Sequence, residues 1–424
     1  PPMRMLENLF KKLTLLSVVF ALFLLTSCEK EETQDFLGSL KIQLVLEEGL
    51  SDISLNNVNV SIVNTQDNLE RKALSNESGN ATFASLPAGT YNLSISEPRE
   101  DGEYTLSGTA NNILVRMQEE TALQVTVDAV ISNAGLVIKE IYSTGANDKY
   151  VSLFKDQFIE IFNNSDEVIY ADGLFIGHLF PDKTNNTLLS PFSELLDIEN
   201  FAYLDWVIQI PGSGNEYPIE PSKGVLIAMN AINFKEGNPT AEKAVDNSVA
   251  DFGIYAVDWL EAQGRTANPF FDMNNPDVTN VTPIYLAEPN NWFLLDLCSP
   301  AVIIFRRESD FSEQDIYNFQ FVNRLGSEEE HNLLKQPIED VIDGVEIQEN
   351  STLGDWKKLP TKVDASFTYY KADGSAFYSG MSLRRKIDVA ATSKFGRVVL
   401  QDLNNSFVDF EVLDYPDAKG YDNL

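Results

Sequence analysis

Phe158-Ile159-Glu160-Ile161-Phe162-Asn163-Asn164-Ser165-Asp166 is a short strand running into a turn, and it sets the fold of the larger part of the chain. Phe158, Ile159, Ile161 and Phe162 are apolar and only Glu160 interrupts them. Asn and Asp tolerate left-handed backbone and hydrogen-bond their own main chain, so Asn163 to Asp166 is turn chemistry. Glu167 to Gly177 resumes the apolar pattern, which makes the whole a hairpin of a β-sandwich. Upstream, Leu136-Val137-Ile138-Lys139-Glu140-Ile141 opens a further strand.

A smaller set of strands precedes it. Leu40, Ile42, Leu44 and Leu46 recur with period two, as do Val58, Val60 and Ile62, the pattern of half-buried strands. Ser78-Gly79 and Pro87-Ala88-Gly89 supply turns. Phe83, Tyr91, Leu93 and Ile95 alternate toward one face, and two more strands follow at Asn112–Met117 and Ala122–Val130. The polar turn ending in Gly79, the aromatic strand at Phe83 and Leu86-Pro87-Ala88-Gly89-Thr90-Tyr91 resemble the carboxypeptidase-regulatory-like, transthyretin-like β-sandwich. That resemblance covers residues 38–132 and implies a spacer or docking module.

From residue 133 the chain resembles the lamin-tail domain, an immunoglobulin-like sandwich. The residues that carry the likeness are Val137-Ile138-Lys139-Glu140-Ile141, then Phe158-Ile159-Glu160-Ile161-Phe162-Asn163, and the Pro221-Ser222-Lys223-Gly224 turn into Val225–Ala228. Ala301–Phe305 and Val341–Glu346 resemble further core strands, and Ser382–Lys386 with Asn404–Phe410 the closing motif. Such a sandwich needs about 100 residues, and the region 133–424 is far longer. The excess is assigned to three partly helical insertions near 178–217, 235–291 and 309–337, dense in aromatic residues. The fold class expected is all-β, two immunoglobulin-like β-sandwich domains. The two-domain layout is similar to an uncharacterised family of Bacteroidota outer-membrane lipoproteins.

The first residues carry Arg4, Lys11 and Lys12 ahead of an apolar run from Leu13 to Thr26. A bilayer crossing needs roughly 20 apolar residues, so residues 1–27 have the layout of an export signal instead. Leu25-Thr26-Ser27-Cys28 resembles a bacterial lipobox. The resemblance implies that Cys28 is lipidated and anchors the chain to outer-membrane lipid. Residues 28–37 form a tether, in which Lys30, Glu31 and Glu32 resemble the surface-export tag of Bacteroidota lipoproteins. A net charge of -33 over 424 residues argues against nucleic acid, whose phosphates require Lys and Arg. The second cysteine, Cys298, lies among large apolar residues and is expected to pack as a small hydrophobe.

Chemistry-bearing constellations are sparse. The two histidines, His178 and His331, are far apart in sequence. His178 follows Gly177 at a strand edge, and His331 follows Glu328-Glu329-Glu330 in what reads as an exposed helix start. A zinc site needs more His or Cys than this. No Gly-x-Ser-x-Gly elbow is present. The calcium candidate is Asp272, Asn274 and Asp277, against an ordinary Asn/Asp/Pro turn. Trp206, Trp259 and Trp292 are either core or a glycan-stacking or partner surface. Arg384-Arg385-Lys386 is a solvated or strand-edge cluster, or an anion clamp.

The reading is a non-catalytic surface lipoprotein that binds, acting as an accessory subunit on an outer-membrane β-barrel such as a TonB-dependent transporter. A glycan-binding protein is the alternative, and predicts a concave face of Trp or Tyr flanked by Asp and Asn. A structural or adhesion protein of the envelope is a further one. A hydrolase would show two carboxylates facing each other in a cleft.

Overall fold

The computed structural model describes residues 37–99, 104–130, 135–146, 153–180, 188–236 and 243–421. The leader, Cys28 and the Lys30-Glu31-Glu32 tag lie outside the described residues. Among the described residues no helix is long and apolar enough to cross a membrane.

The first unit has seven strands: β1 (Leu37–Leu46), β2 (Asn59–Asn64), β3 (Glu70–Leu74), β4 (Asn80–Pro87), β5 (Gly89–Arg99), β6 (Tyr104–Val115) and β7 (Glu120–Val130). They run in the order β3-β2-β5-β6-β7-β1-β4, with β1 parallel to β7 and antiparallel to β4. Side chains alternate across a strand, so the period-two residues form the core. Leu40, Ile42, Leu44, Val60, Ile62, Phe83, Leu93 and Ile95 are buried in one cluster. Tyr91 joins it, and its hydroxyl donates back to the Pro87 carbonyl at 2.9 Å, pinning the Pro-Ala-Gly turn.

The second unit adds β8 (Leu136–Tyr142), β9 (Phe158–Asn163), β10 (Ile169–Tyr170), β11 (Phe175–Leu179), β12 (Phe201–Gln209), β13 (Pro218–Ile219), β14 (Gly224–Ala228) and β15 (Phe252–Gly253). It continues with β16 (Thr279–Asn280), β17 (Thr282–Leu286), β18 (Ala301–Phe305), β19 (Ile316–Val322), β20 (Glu328–Pro337), β21 (Val341–Glu346), β22 (Ser382–Arg385) and β23 (Phe410–Leu413). One sheet runs β16-β15-β14-β9-β8-β22-β23. The other runs β19-β20-β12-β11-β18-β21, with β17 paired to β12. Ile138, Ile161 and Ile227 of the first sheet meet Ile176, Ile208 and Ile304 of the second in the main core.

Both sheets are covered on their outer faces too. Phe175, Leu204 and Ile303 pack under Leu359 and Val363. Val137 and Phe162 pack under Leu400 and Tyr421. Burial on two faces explains why β8, β9 and β18 are near-continuous apolar runs rather than alternating ones. Gly344 permits one close approach: a Cβ there would lie 2.6 Å from Val363.

The three segments read as insertions supply much of the second sheet. Residues 178–217 contain β12, which pairs with β11, β17 and β20. Residues 309–337 form the β19–β20 hairpin, with no α-helix in it. Residues 235–291 hold β15, β16, β17 and the short helix Val257–Ala262. Their aromatic density is that of strands in a widened sandwich: Tyr203, Trp206 and Phe319 are all buried.

The two units touch at β6 and at the turn between β2 and β3. Asn111 and Asn112 donate to the Ala365 carbonyl at 3.2 Å and to Asp355 at 2.6 Å, and Tyr369 bonds Asn68 at 2.7 Å.

Candidate functional site

Asp205 interrupts an otherwise apolar strand, β12, and that break marks the site. The register of β12 with β11 places His178 directly opposite Trp206. The imidazole stacks on the indole, with ring centroids 5.3 Å apart and planes 7° from parallel. His178 Nδ1 meets Asp205 Oδ1 at 2.8 Å, and Nε2 lies 3.4 Å from Asp296 Oδ2. Burial pulls the His178 pKa down, but the two aspartates more than reverse it and the net direction is up.

Asp296 belongs to the loop 287–297, and Gln157 fixes that loop. The buried Gln157 amide donates to the Leu295 carbonyl at 3.0 Å and accepts from Leu295 N–H at 2.9 Å. The Trp206 indole N–H donates to Leu294 at 3.0 Å. Cys298, at the end of the loop, is buried with φ 66°.

A cleft of about 620 Å³ opens where this loop meets β12 and the β19–β20 hairpin. Asp205, Glu288, Asp296 and Glu329 line it with carboxylates. Phe154, Phe180, Trp292 and Phe321 line it with rings, and Asn290 and His331 complete its polar rim. Trp292 is backed by Phe271 at 5.1 Å, and Phe271 by Phe154 at 5.4 Å. His331 packs against Phe180 at 4.6 Å and stacks on Phe321 at 5.8 Å. Burial lowers the His331 pKa, offset only in part by Glu329 and Asp205.

Both histidines therefore stand differently from what their sequence neighbours suggest. His178 is fully buried inside β11 rather than at a strand edge. His331 is half-buried in strand β20, not at an exposed helix start. The reason is the turn ahead of it. Asn323 Oδ1 accepts from Leu325 and Ser327 N–H, and Gly326 takes φ 81°. That closes a hairpin and commits Glu328–Glu330 to alternating strand positions.

The tryptophans do not share one exposed face. Trp206 is core at 1% exposure, Trp259 packs against Phe293 at 5.8 Å, and Trp292 lines the cleft. The calcium candidates are engaged separately. Asp272 accepts from Ala256 N–H at 3.1 Å, at the start of the helix Val257–Ala262. Burial raises its pKa to about 6. Asn274 accepts from Asn280 at 3.1 Å, while Asp277 N–H donates to Asn275 at 3.1 Å. Among the described residues no group of three or more His, Cys, Asp or Glu side chains is placed to hold a metal ion.

Arg384-Arg385-Lys386 is not a solvated cluster. Arg385 is 2% exposed and bonds Asp343 at 2.7 Å and Asp402 at 3.0 Å, with Asp409 at 3.5 Å. Arg384 pairs with Glu411 at 2.7 Å, and Lys386 donates to the Val408 carbonyl at 2.6 Å. Three carboxylates already fill the Arg385 fork, so no anion site remains there.

The cleft straddles a boundary in the sequence. Residues 220–417 match the DUF4876 family. That family is described as a protein of unknown function, and the match spans a little under half of the chain. A DUF4876 family protein from Bacteroides thetaiotaomicron has a solved structure similar to this one. The TM-score is 0.53 at 22% identity, over 88% of this chain and 94% of that one. The likeness supports the fold described above and an uncharacterised family represented in Bacteroides. The likeness in fold covers more of this chain than the DUF4876 stretch does. Two further solved structures are the minor pilin GBS52 of Streptococcus agalactiae and a putative carbohydrate binding protein of Bacteroides uniformis. The pilin has a TM-score of 0.18 and 15% identity over 22% of this chain and 44% of its own. The second has 0.16 and 11% over 33% and 60%. Neither bears on fold or function at those scores. No curated protein matches the chain.

Proposed function

We propose that this protein is a non-catalytic, lipid-anchored binding protein of the outer membrane, surface-facing and held by Cys28. A carboxypeptidase-regulatory-like spacer (38–132) carries a lamin-tail-like sandwich (133–424), and ligand is taken in the cleft between β12, the β19–β20 hairpin and the loop 287–297. The observation that carries this reading is the cleft's lining: aromatic faces at Trp292 and Phe321 beside Asp205, Asp296 and Asn290. Concave sites of several hundred Å³ with apolar walls and a few placed polar groups are how small ligands are held.

The binding reading is preferred to a hydrolase because of how the two aspartates are spent. Asp205 Oδ1 lies 2.8 Å from His178 Nδ1, and Asp296 N–H donates to His178 Nε2 at 3.3 Å, so both are engaged with the imidazole. The role in the envelope is that of an accessory subunit, docked on an outer-membrane β-barrel such as a TonB-dependent transporter and delivering what the cleft holds. A glycan is the alternative cargo, favoured by the ring-and-Asn arrangement at Trp292 and Asn290.

The test pairs the full chain with its Trp292→Ala variant. Each is tagged at Leu424, recovered from detergent-solubilised outer membranes, and applied to a glycan array. Ligand retained by the parent and lost in Trp292→Ala supports the cleft as the seat. A stoichiometric barrel recovered with both forms supports docking through another surface. Recovery of the chain alone, with an array indifferent to Trp292, sinks the reading.

A further inference from the structure

The cleft's charge is lopsided. Among the described residues, four carboxylates line it, from Asp205, Glu288, Asp296 and Glu329, and no Lys or Arg does. Its one lining imidazole, His331, is held by burial below the ordinary histidine value and is neutral near pH 7. Arg265 braces the loop by donating to the carbonyls of Leu286, at 2.9 Å, and of Asn290, but does not line the cleft. Beneath the floor, His178 sits between two of the acids. Glu288 lies at the rim, and Glu329 accepts from the Asn323 amide at 2.8 Å.

A neutral ligand seated here would cover these carboxylates and strip their water. Burying a charge is costly unless it is paired. A cationic ligand replaces the lost water with ion pairs, so the same covering becomes favourable. The rings add to this, because a cation over an aromatic face is attracted by the ring quadrupole, and Trp is the best such face. Trp292, Phe154, Phe180 and Phe321 are among the residues that line the cleft. A net charge of -33 raises the local concentration of cations around the whole molecule.

We infer that the cleft selects an organic cation, a ligand bearing a protonated amine or quaternary ammonium held between carboxylates and aromatic rings. The inference rests on the reading of the cleft as the ligand seat and names the chemistry it takes. An amino sugar and a small quaternary amine share that chemistry, and the experiment separates them.

Calorimetric titration of the full chain uses matched pairs of probes. Choline is set against its uncharged carbon isostere 3,3-dimethyl-1-butanol, and glucosamine oligomers against their N-acetylated forms. The charged member of at least one pair is expected to bind about tenfold or more tightly, with affinity falling as salt rises. Which pair responds identifies the source. Glu288→Gln with Glu329→Gln, both partly or fully exposed acids, is expected to lose about tenfold in affinity at unchanged melting temperature. Equal or tighter binding of the neutral members overturns charge selection and leaves the cleft as a neutral-ligand seat. Absence of binding by all four probes overturns the inference. If Trp292→Ala also leaves the array and membrane recovery unchanged, the cleft reading falls with it.

Discussion

Arg385 and His178 are both buried, both flanked by aspartates, and put to different ends. Around Arg385 the carboxylates of Asp343 and Asp409 are almost wholly enclosed, and the guanidinium fork meets them and the carbonyls of Ile138 and Gln401. Around His178 the side chains of Asp205 and Asp296 keep 10% and 17% of their exposure and line open space. A guanidinium has five donors and an imidazole has two ring nitrogens. The first site closes on itself, and the second leaves carboxylate facing a cleft. Residue type alone does not separate structure from function here. How far the polar groups are satisfied internally does.

Removing the cation of the closed site is expected to have the largest effect. Arg385→Met leaves Asp343 and Asp409 buried without their partner and is expected to cost about 3–5 kcal/mol in urea unfolding. Arg385→Lys keeps the charge, loses the fork and should fall between. A Met variant as stable as the parent would mean that the cluster is not structural.

The tryptophans draw the same contrast within the aromatic set. Trp206→Ala empties a core position and is expected to cost about 3–5 kcal/mol. Trp292→Ala, half-buried at the cleft, is expected to cost about 1 kcal/mol and to remove ligand binding. Equal losses of stability would place Trp292 in the core and not in the site.

Asp156 is as buried as Asp343 but has the Tyr142 hydroxyl at 3.1 Å in place of a guanidinium. Burial raises its pKa from 3.8 to about 7. The folded state then keeps a proton that the unfolded chain releases. Its contribution is full below about pH 4 and is lost as pH rises through 7, on the order of 4 kcal/mol at most. Asp156→Asn should flatten that part of the stability–pH curve, and an unchanged slope would place the titration elsewhere.

The smallest effect is spectroscopic. With two histidines in the chain, proton NMR should show one imidazole titrating above 6.5 and one below. His178 is raised by Asp205 and Asp296 against burial, and His331 is lowered by burial. His178→Asn assigns the signals. Two histidines titrating together near 6.5 would remove the electrostatic distinction between floor and wall.

Much of the fold is legible in the residues themselves. The alternation at Leu40–Leu46 and Tyr91–Ile95, and the apolar run of Phe158–Phe162, correspond to strands whose apolar residues are buried. The segments near 178–217 and 309–337 mislead because aromatic density does not state whether a ring packs in a sheet or faces water. Asn323-Arg324-Leu325-Gly326-Ser327 carries a hairpin signal that corrects the helix expected at Glu328. Asp205 inside an apolar strand is the one local mark of the site.

From residues alone come the alternating strands of the first unit, the apolar run at Phe158–Phe162 and the all-β class, because period two and unbroken apolar runs follow from the faces each strand buries. Tertiary structure decided the fate of the charged residues. His178 meets Asp205 across 27 positions and Asp296 across 118, and Arg385 meets Asp343 across 42. A carboxylate's role depends on which distant partner reaches it and on how much water is left beside it, and neither is encoded in its neighbours along the chain.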